Sequence, residues 1–423
     1  MRIRASWVAI FVYGVAGHTQ PAVAQVDQQR AQEYFKEAQA LCEGDGGRLW
    51  GVSVCGPMVI ADRRTQTFAT SQPAPAAPRP PLIGIVNAPI EWGGTMWAAY
   101  MWETLANVTP RARNEILLHE LFHIVQLRLG LRATGPGLSN EHLDTLEGRY
   151  WLRLEFRALA RALRESGEAR KVAVGDVLVF RQARRALDPA AADNERAVEI
   201  IEGVASYAGT ILAASSTAES KASALEQLSD PDGEESYVRT FAYKSGSAYG
   251  LLLDASSPDW KRTLRGDDDL GVLLMNALAV RPADDAAAAA AGYGGAELRA
   301  AEQQRDQERQ ARIAELRRRF VDGPVLVMPG GGSGMSNSMG AVVIPGGTVF
   351  FGPYRAAGPW GTLEAENGVL QASDGLSRRL PAPTRRDDGT VSGDGWTFKG
   401  APGWVVREGA RPGDYEVVRQ QQP

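Results

Sequence analysis

The sequence predicts an α+β fold: a small sheet and a set of helices, one carrying an H-E-x-x-H motif, followed by a C-terminal all-β domain. Three observations predict it. Apolar residues recur at helical spacing from Asn114 to Gln126 around His119, Glu120 and His123. β-prone runs stand directly ahead of that helix. At Gly323-Pro324 the composition changes to short β-like runs separated by turns rich in Gly, Pro and Asp. The 423 residues exceed what one core usually organises, and 44% hydrophobic with 23% charged content is ordinary for globular protein. A formal charge of −4 supplies neither a basic field for nucleic acid nor a polybasic membrane patch.

Residues 1–24 read as a signal peptide. Arg2 and Arg4 precede a mostly apolar stretch from Ala5 to Gly17, and Ala22-Val23-Ala24 gives a small-residue cleavage pattern before Gln25. The apolar core is too short to span a bilayer, and no cysteine follows the cleavage site to take a lipid. The mature protein is therefore expected to be secreted or periplasmic, cleaved after Ala24, without a membrane anchor. Residues 25–81 form a cysteine-loop and linker region. Cys42 and Cys55, the only cysteines, bracket a glycine-rich turn, and in an exported chain they are expected to join, contributing about 3 kcal/mol. Met58 to Ala61 is strand-like, and Ser71 to Pro81 is a linker rich in Pro and Ala.

Residues 82–322 hold the motif domain. Leu82 to Val86 and Gly94 to Trp102 are β-prone, with a turn at Glu91 to Gly94, and Trp97, Tyr100 and Trp102 are expected in the core. Thr109 caps the motif helix, Pro110 takes its first position, and Gly130 ends it after Leu129. Residues four apart share a helix face, so the imidazoles of His119 and His123 reach one metal ion, with Glu120 beside the first. Two neutral imidazoles and a third protein ligand leave one tetrahedral position of a zinc ion open for water, and Glu120 is the candidate base. Only four histidines occur in the chain, and two fall in this motif.

Further helices are expected from Leu143 to about Ser166, from Lys171 to Leu187 and through Ala191 to Ser215. An alanine tract covers Ala286 to Ala291, and a charged helix from Ala296 to Phe320 presents a solvated face. Residues 323–423 are expected to form a sandwich-like β domain, with Trp360, Trp396, Phe398 and Trp404 in its core.

The third ligand is not given by the motif itself. A metzincin histidine would fall at position 129, which is Leu129, and Gln126 occupies that motif's glycine position. His142 lies at an expected helix start, where capping competes with ligation. A carboxylate is the better candidate.

Here the residues resemble a family. Gluzincin metallopeptidases, the thermolysin and M1 aminopeptidase-like group, carry H-E-x-x-H on one helix and a ligand glutamate on a later one. In M1-like members that glutamate opens E-G-x-A-x-[YF], which Glu202-Gly203-Val204-Ala205-Ser206-Tyr207 matches. Tyr243-Lys244-Ser245-Gly246 is similar to their Y-x-K-G segment, with Ser245 replacing lysine. The resemblance implies a zincin-like catalytic domain with zinc held by His119, His123 and Glu202, Glu120 as base, Tyr243 as oxyanion donor, and a peptide or protein as substrate. The separation of His123 from Glu202 is far longer than in that family and implies an insertion holding the Leu143 helix. The aminopeptidase G-x-M-E-N signature is missing, since Glu91 to Met96 reads E-W-G-G-T-M, so aminopeptidase activity is not implied. Glu147 and Glu155, nearer the second histidine, compete with Glu202 for the third position. Two other functions stand beside the peptidase: a noncatalytic exported binding protein with a structural zinc site, and a nonpeptidase zinc hydrolase.

Overall fold

The computed structural model describes residues 25–132, 140–335, 341–387 and 389–420, and the expected signal segment lies outside them. The architecture is α+β, helical first and β-rich at the C-terminal end. The chain divides into two compact units. The first contains the described residues up to His142, Trp151–Asp232 and Val238–Ala289; the second contains Leu143–Tyr150, Gly233–Tyr237 and Ala290–Pro423 as far as it is described. Among the described residues no helix is long and apolar enough to cross a membrane.

The first unit opens with α1 (Gln28–Asp45), whose N-cap Asp27 accepts from Arg30 N at 3.0 Å. A disulfide joins Cys42 near the end of α1 to Cys55, with Cα atoms 5.4 Å apart. The loop it closes delivers Trp50 to Phe122 at a ring separation of 4.9 Å. β1 (Met58–Ala61), β2 (Phe68–Thr70), β3 (Ala88–Trp92) and β4 (Thr95–Met101) form one sheet in the order β2-β1-β4-β3. β1 runs parallel to β4, with Met58 opposite Ala98, and is buried throughout, which its unbroken apolar sequence requires. Leu82 to Val86, expected as a strand, is a turn: Gly84 takes a left-handed φ of 91°, and Ile85 N donates to Leu82 O.

After α2 (Trp102–Ala106) comes the motif helix, α3 (Pro110–Gln126), with Thr109 Oγ1 accepting from Ala112 N and Pro110 in the first turn. It ends before the expected Gly130. Leu131 N returns to Gln126 O, and Gly130 closes the following turn at a φ of 75°. Tyr100 on β4 donates to Leu117 O at 2.7 Å, which ties the sheet to the middle of α3.

α4 (Leu146–Arg164), α5 (Gly167–Arg185) and α6 (Ala191–Val198) follow. A π-helical turn at Glu199–Gly203 then leads into α7 (Val204–Ala213), and α8 (Thr217–Gln227), α9 (Thr240–Ser256), α10 (Trp260–Thr263) and α11 (Leu270–Leu278) complete the series. Small residues let these helices meet α3 and each other closely. A Cβ on Gly209 would lie 2.5 Å from Glu115 O, and one on Gly246 would lie 2.2 Å from Gly203 O.

In α12 (Ala286–Ala291) and α13 (Gly295–Arg317) the charged sequence is helical, as its pattern predicts. α13 and a π turn at Arg318–Asp322 lie within the second unit, where Leu316 and Phe320 pack with Ile344, Val349 and Leu370. The charge pattern alone placed this helix with the helical region; its short apolar end decides its partner. Beyond it, strands build a six-stranded and a seven-stranded sheet. One core takes side chains from both, including Leu326, Val369 and Leu380 from one and Tyr354, Leu363 and Phe398 from the other, with Trp360 and Trp396 buried in it. Trp404 is only partly buried against that core.

Candidate metal centre

α3 presents His119 and His123 one turn apart, and the π turn presents Glu202 opposite them. The donor atoms converge. His119 Nε2 and His123 Nε2 are 3.0 Å apart, and Glu202 Oε2 lies 3.3 Å from the first and 3.4 Å from the second. All three residues can offer a ligand atom to one ion. The edges of a tetrahedron built on zinc–ligand bonds of about 2.0–2.1 Å are about 3.3 Å long, so the three separations fit such a site. The closest approaches to Glu202 are not well-formed hydrogen bonds, since its Oε2 is buried without a hydrogen-bond partner. An orphaned buried carboxylate oxygen facing two ring nitrogens is what a cation would satisfy.

The ring tautomers follow from the surrounding bonds. Gln126 Nε2 donates to Ile200 O at 2.7 Å and Ile201 O at 3.0 Å, both carbonyls of the π turn. That orientation leaves Gln126 Oε1 facing His123 Nδ1 at 2.7 Å, so Nδ1 carries the proton and Nε2 keeps its lone pair towards Glu202. Gln126 thus braces His123 and the segment bearing Glu202. Sequence reasoning missed this role, because it weighed Gln126 only as a departure from the metzincin pattern. On the other ring, Ser206 Oγ lies 3.5 Å from His119 Nδ1.

Burial lowers the pKa of His119, which keeps that ring neutral. Burial also acts to lower His123, but Glu202 and Glu120 outweigh it and raise the pKa. For Glu202, burial acts upward, and the nearby His119 and His123 rings and Tyr243 hydroxyl outweigh it and hold the carboxyl below its usual range. Glu120 is pushed up to about 7, chiefly by burial. Burial raises Tyr243 as well, and the Glu202 carboxylate adds to the effect.

Tyr243, on the first turn of α9, stacks on the His119 ring at 5.4 Å. The residue is 37% exposed, so it stands at the rim of the site. Arg239, not singled out from the sequence, brings Nη2 to 3.6 Å from Glu202 Oε1. A cleft of about 360 Å³ opens beside these groups, lined by His119, Glu120 and Tyr243 and continuing to Glu115 and Gln227.

The competing carboxylates are engaged elsewhere. Glu147 is in the other unit and pairs with Arg299. Glu155 is buried against Arg184 and accepts from Tyr249 Oη at 2.7 Å. His142 Nε2 is 2.8 Å from Glu195 Oε1.

The chain matches no protein-family model, no curated protein and no solved structure. The functional argument therefore rests on the site itself. Its three convergent donors, the acid–base group beside them and the hydroxyl at the rim are a set able to hold a divalent cation and move a proton.

Proposed function

We propose that the protein is an exported zinc-dependent metallohydrolase of gluzincin type that cleaves peptide bonds. The observation that carries this is the convergence of His119, His123 and Glu202 at tetrahedral separations, with Glu120 on the same cleft. A zinc ion bound there supplies an electrophile that polarises a carbonyl and acidifies water. The chain's own residues do the rest. Glu120, largely buried on the same cleft, is suited to accept a proton at its carboxylate and return it to a leaving amine. Tyr243, on the same cleft, is suited to donate its hydroxyl to the charge that develops on the substrate oxygen. Gln126 and Ser206 hold the two rings. Export is supported by the signal-like N-terminal sequence and the Cys42–Cys55 disulfide.

Metal analysis of the purified mature protein tests the proposal. About one zinc ion per chain is expected, lost in His119→Ala. Glu120→Gln should keep the metal and lose cleavage of a peptide library. A metal-free protein with stability unaffected by added zinc would overturn it. Cleavage of esters or other amides but no peptide would move the assignment to a nonpeptidase hydrolase.

A further inference from the structure

The cleft continues past His119 by one helical turn, to Glu115, and this end of it has a chemistry of its own. Ala112 and Ile116 line it with apolar surface. The polar groups are acceptors. Glu115 is fixed by Ser223 Oγ, which donates to its Oε1 at 2.6 Å, and by Gln227 Nε2 at 3.3 Å from Oε2. Gln227 Nε2 also donates to Thr210 Oγ1 at 3.0 Å. These bonds set the amide orientation, and they leave Gln227 Oε1 as a buried acceptor with no donor.

The charge is also unbalanced. Arg111 Nε lies 3.5 Å from Glu115, but the same guanidinium pairs with Glu226, so two carboxylates share one arginine. With its side chain 16% exposed, Glu115 is reachable from the cleft yet poorly solvated. Burial raises its pKa, and Glu226 adds to that, so an arriving cation would relieve both effects.

We infer that this end of the cleft is a specificity subsite for a basic side chain, lysine or arginine, of a peptide substrate, with Glu115 as its charged acceptor and Gln227 Oε1 as its neutral one. The inference rests on the peptidase proposal and names its substrate class. An aliphatic stem lies along Ala112 and Ile116, and the cationic head meets the carboxylate and the orphaned carbonyl. An apolar side chain leaves the Gln227 carbonyl unpaired, and an acidic one meets Glu115 as a like charge.

Two readouts separate this subsite from the peptidase proposal. Calorimetry on the zinc-loaded full chain carrying Glu120→Gln measures binding of matched peptides that differ only in lysine, arginine or norleucine at one position. The basic peptides are expected to bind at least about tenfold more tightly, and adding Glu115→Gln should remove that advantage while leaving norleucine affinity unchanged. Circular dichroism confirms that the second change leaves the fold intact, and the lysine-to-norleucine comparison needs no change at Glu115 at all. Equal binding of the peptides, or an advantage that survives Glu115→Gln, overturns the subsite. Cleavage of the same peptides by the unsubstituted enzyme is then measured. Cleavage without basic preference also overturns the subsite; basic-selective binding without cleavage overturns the peptidase proposal and upholds the subsite.

Discussion

At the scale of single residues, Gln126 has the most specific job in the candidate centre after His119, His123 and Glu202. Its amide bonds to Ile200 O and Ile201 O, and its carbonyl oxygen faces His123 Nδ1. Losing it frees the imidazole to rotate and removes a tie to the segment bearing Glu202. Gln126→Ala is therefore expected to weaken zinc binding by about 10- to 100-fold, the usual cost of an outer partner of a ligand histidine. Competition with a calibrated chelator measures this, and unchanged affinity would show that the bond to His123 does not orient the ring. Gln126→Glu separates the two jobs: it keeps an acceptor for Nδ1–H but sets a carboxylate against two carbonyls. The histidines and Glu120 were legible in the sequence because their spacing has a helical meaning. Gln126 was not, because its partners are backbone carbonyls in a turn that sequence spacing does not reveal.

At the scale of elements, the π turn decides where Glu202 points. One extra residue in a helical turn is invisible to a 3.6-residue period, so the sequence suggested a continuous helix through Ala191 to Ser215. The structure inserts Glu199–Gly203 between α6 and α7. The small residues around the turn were legible, as was their consequence that helices can approach closely. Gly246 on α9 meets Gly203 so tightly that a Cβ would lie 2.2 Å from Gly203 O and 2.4 Å from its Cα. Backbone cannot yield as a flexible side chain does. Gly246→Ala should push α9 from the turn, costing about 1–3 kcal/mol, the range for overpacking. It should also weaken zinc binding, because the turn carries Glu202 and α9 carries Tyr243. Urea denaturation and the chelator assay together check this. A fall in stability with unchanged zinc affinity would mean that the turn keeps its position without α9.

At the scale of the whole molecule, the long stretch between His123 and Glu202 has to be held without displacing Glu202 from the two histidines. The first unit does this with buried charge. Arg181 on α5 bonds Glu199, the first residue of the π turn, through two nitrogens at 2.6 and 2.5 Å, and also reaches Asp269 at 3.1 Å. Arg184 contacts Glu155 and Glu195, and Arg185 bonds Glu195 at 2.7 Å and Asp269 at 2.6 Å. Sequence patterning showed charged residues on these helices, but not which of them pair inside the fold. Which charges are buried depends on helices that meet only in the folded chain. Arg184 and Glu195 are fully buried, and such pairs cost stability when one partner is removed.

That network predicts how the protein responds to acid. Burial acts to raise the Glu195 carboxyl, and Arg184, His142 and Arg185 together hold it well below the usual range. Asp269 is likewise depressed: burial acts upward, and Arg181 and Arg185 outweigh it. A group depressed in the folded state contributes stability that is present above its unfolded pKa and lost as pH falls towards the folded one. Stability should therefore decline once pH drops below about 4, the range of unfolded Asp and Glu. Glu195→Gln is expected to cost about 3–5 kcal/mol at neutral pH, because Arg184 and Arg185 lose a shared carboxylate and the buried Arg184 keeps only Glu155. The variant should also show a shallower decline between pH 5 and 3, since it no longer has that proton to take up. Urea denaturation of both proteins across this range, in the presence of a chelator so that metal release does not contribute, reads the slopes. A variant that loses stability as steeply as the parent would show that acid acts on carboxylates outside this network.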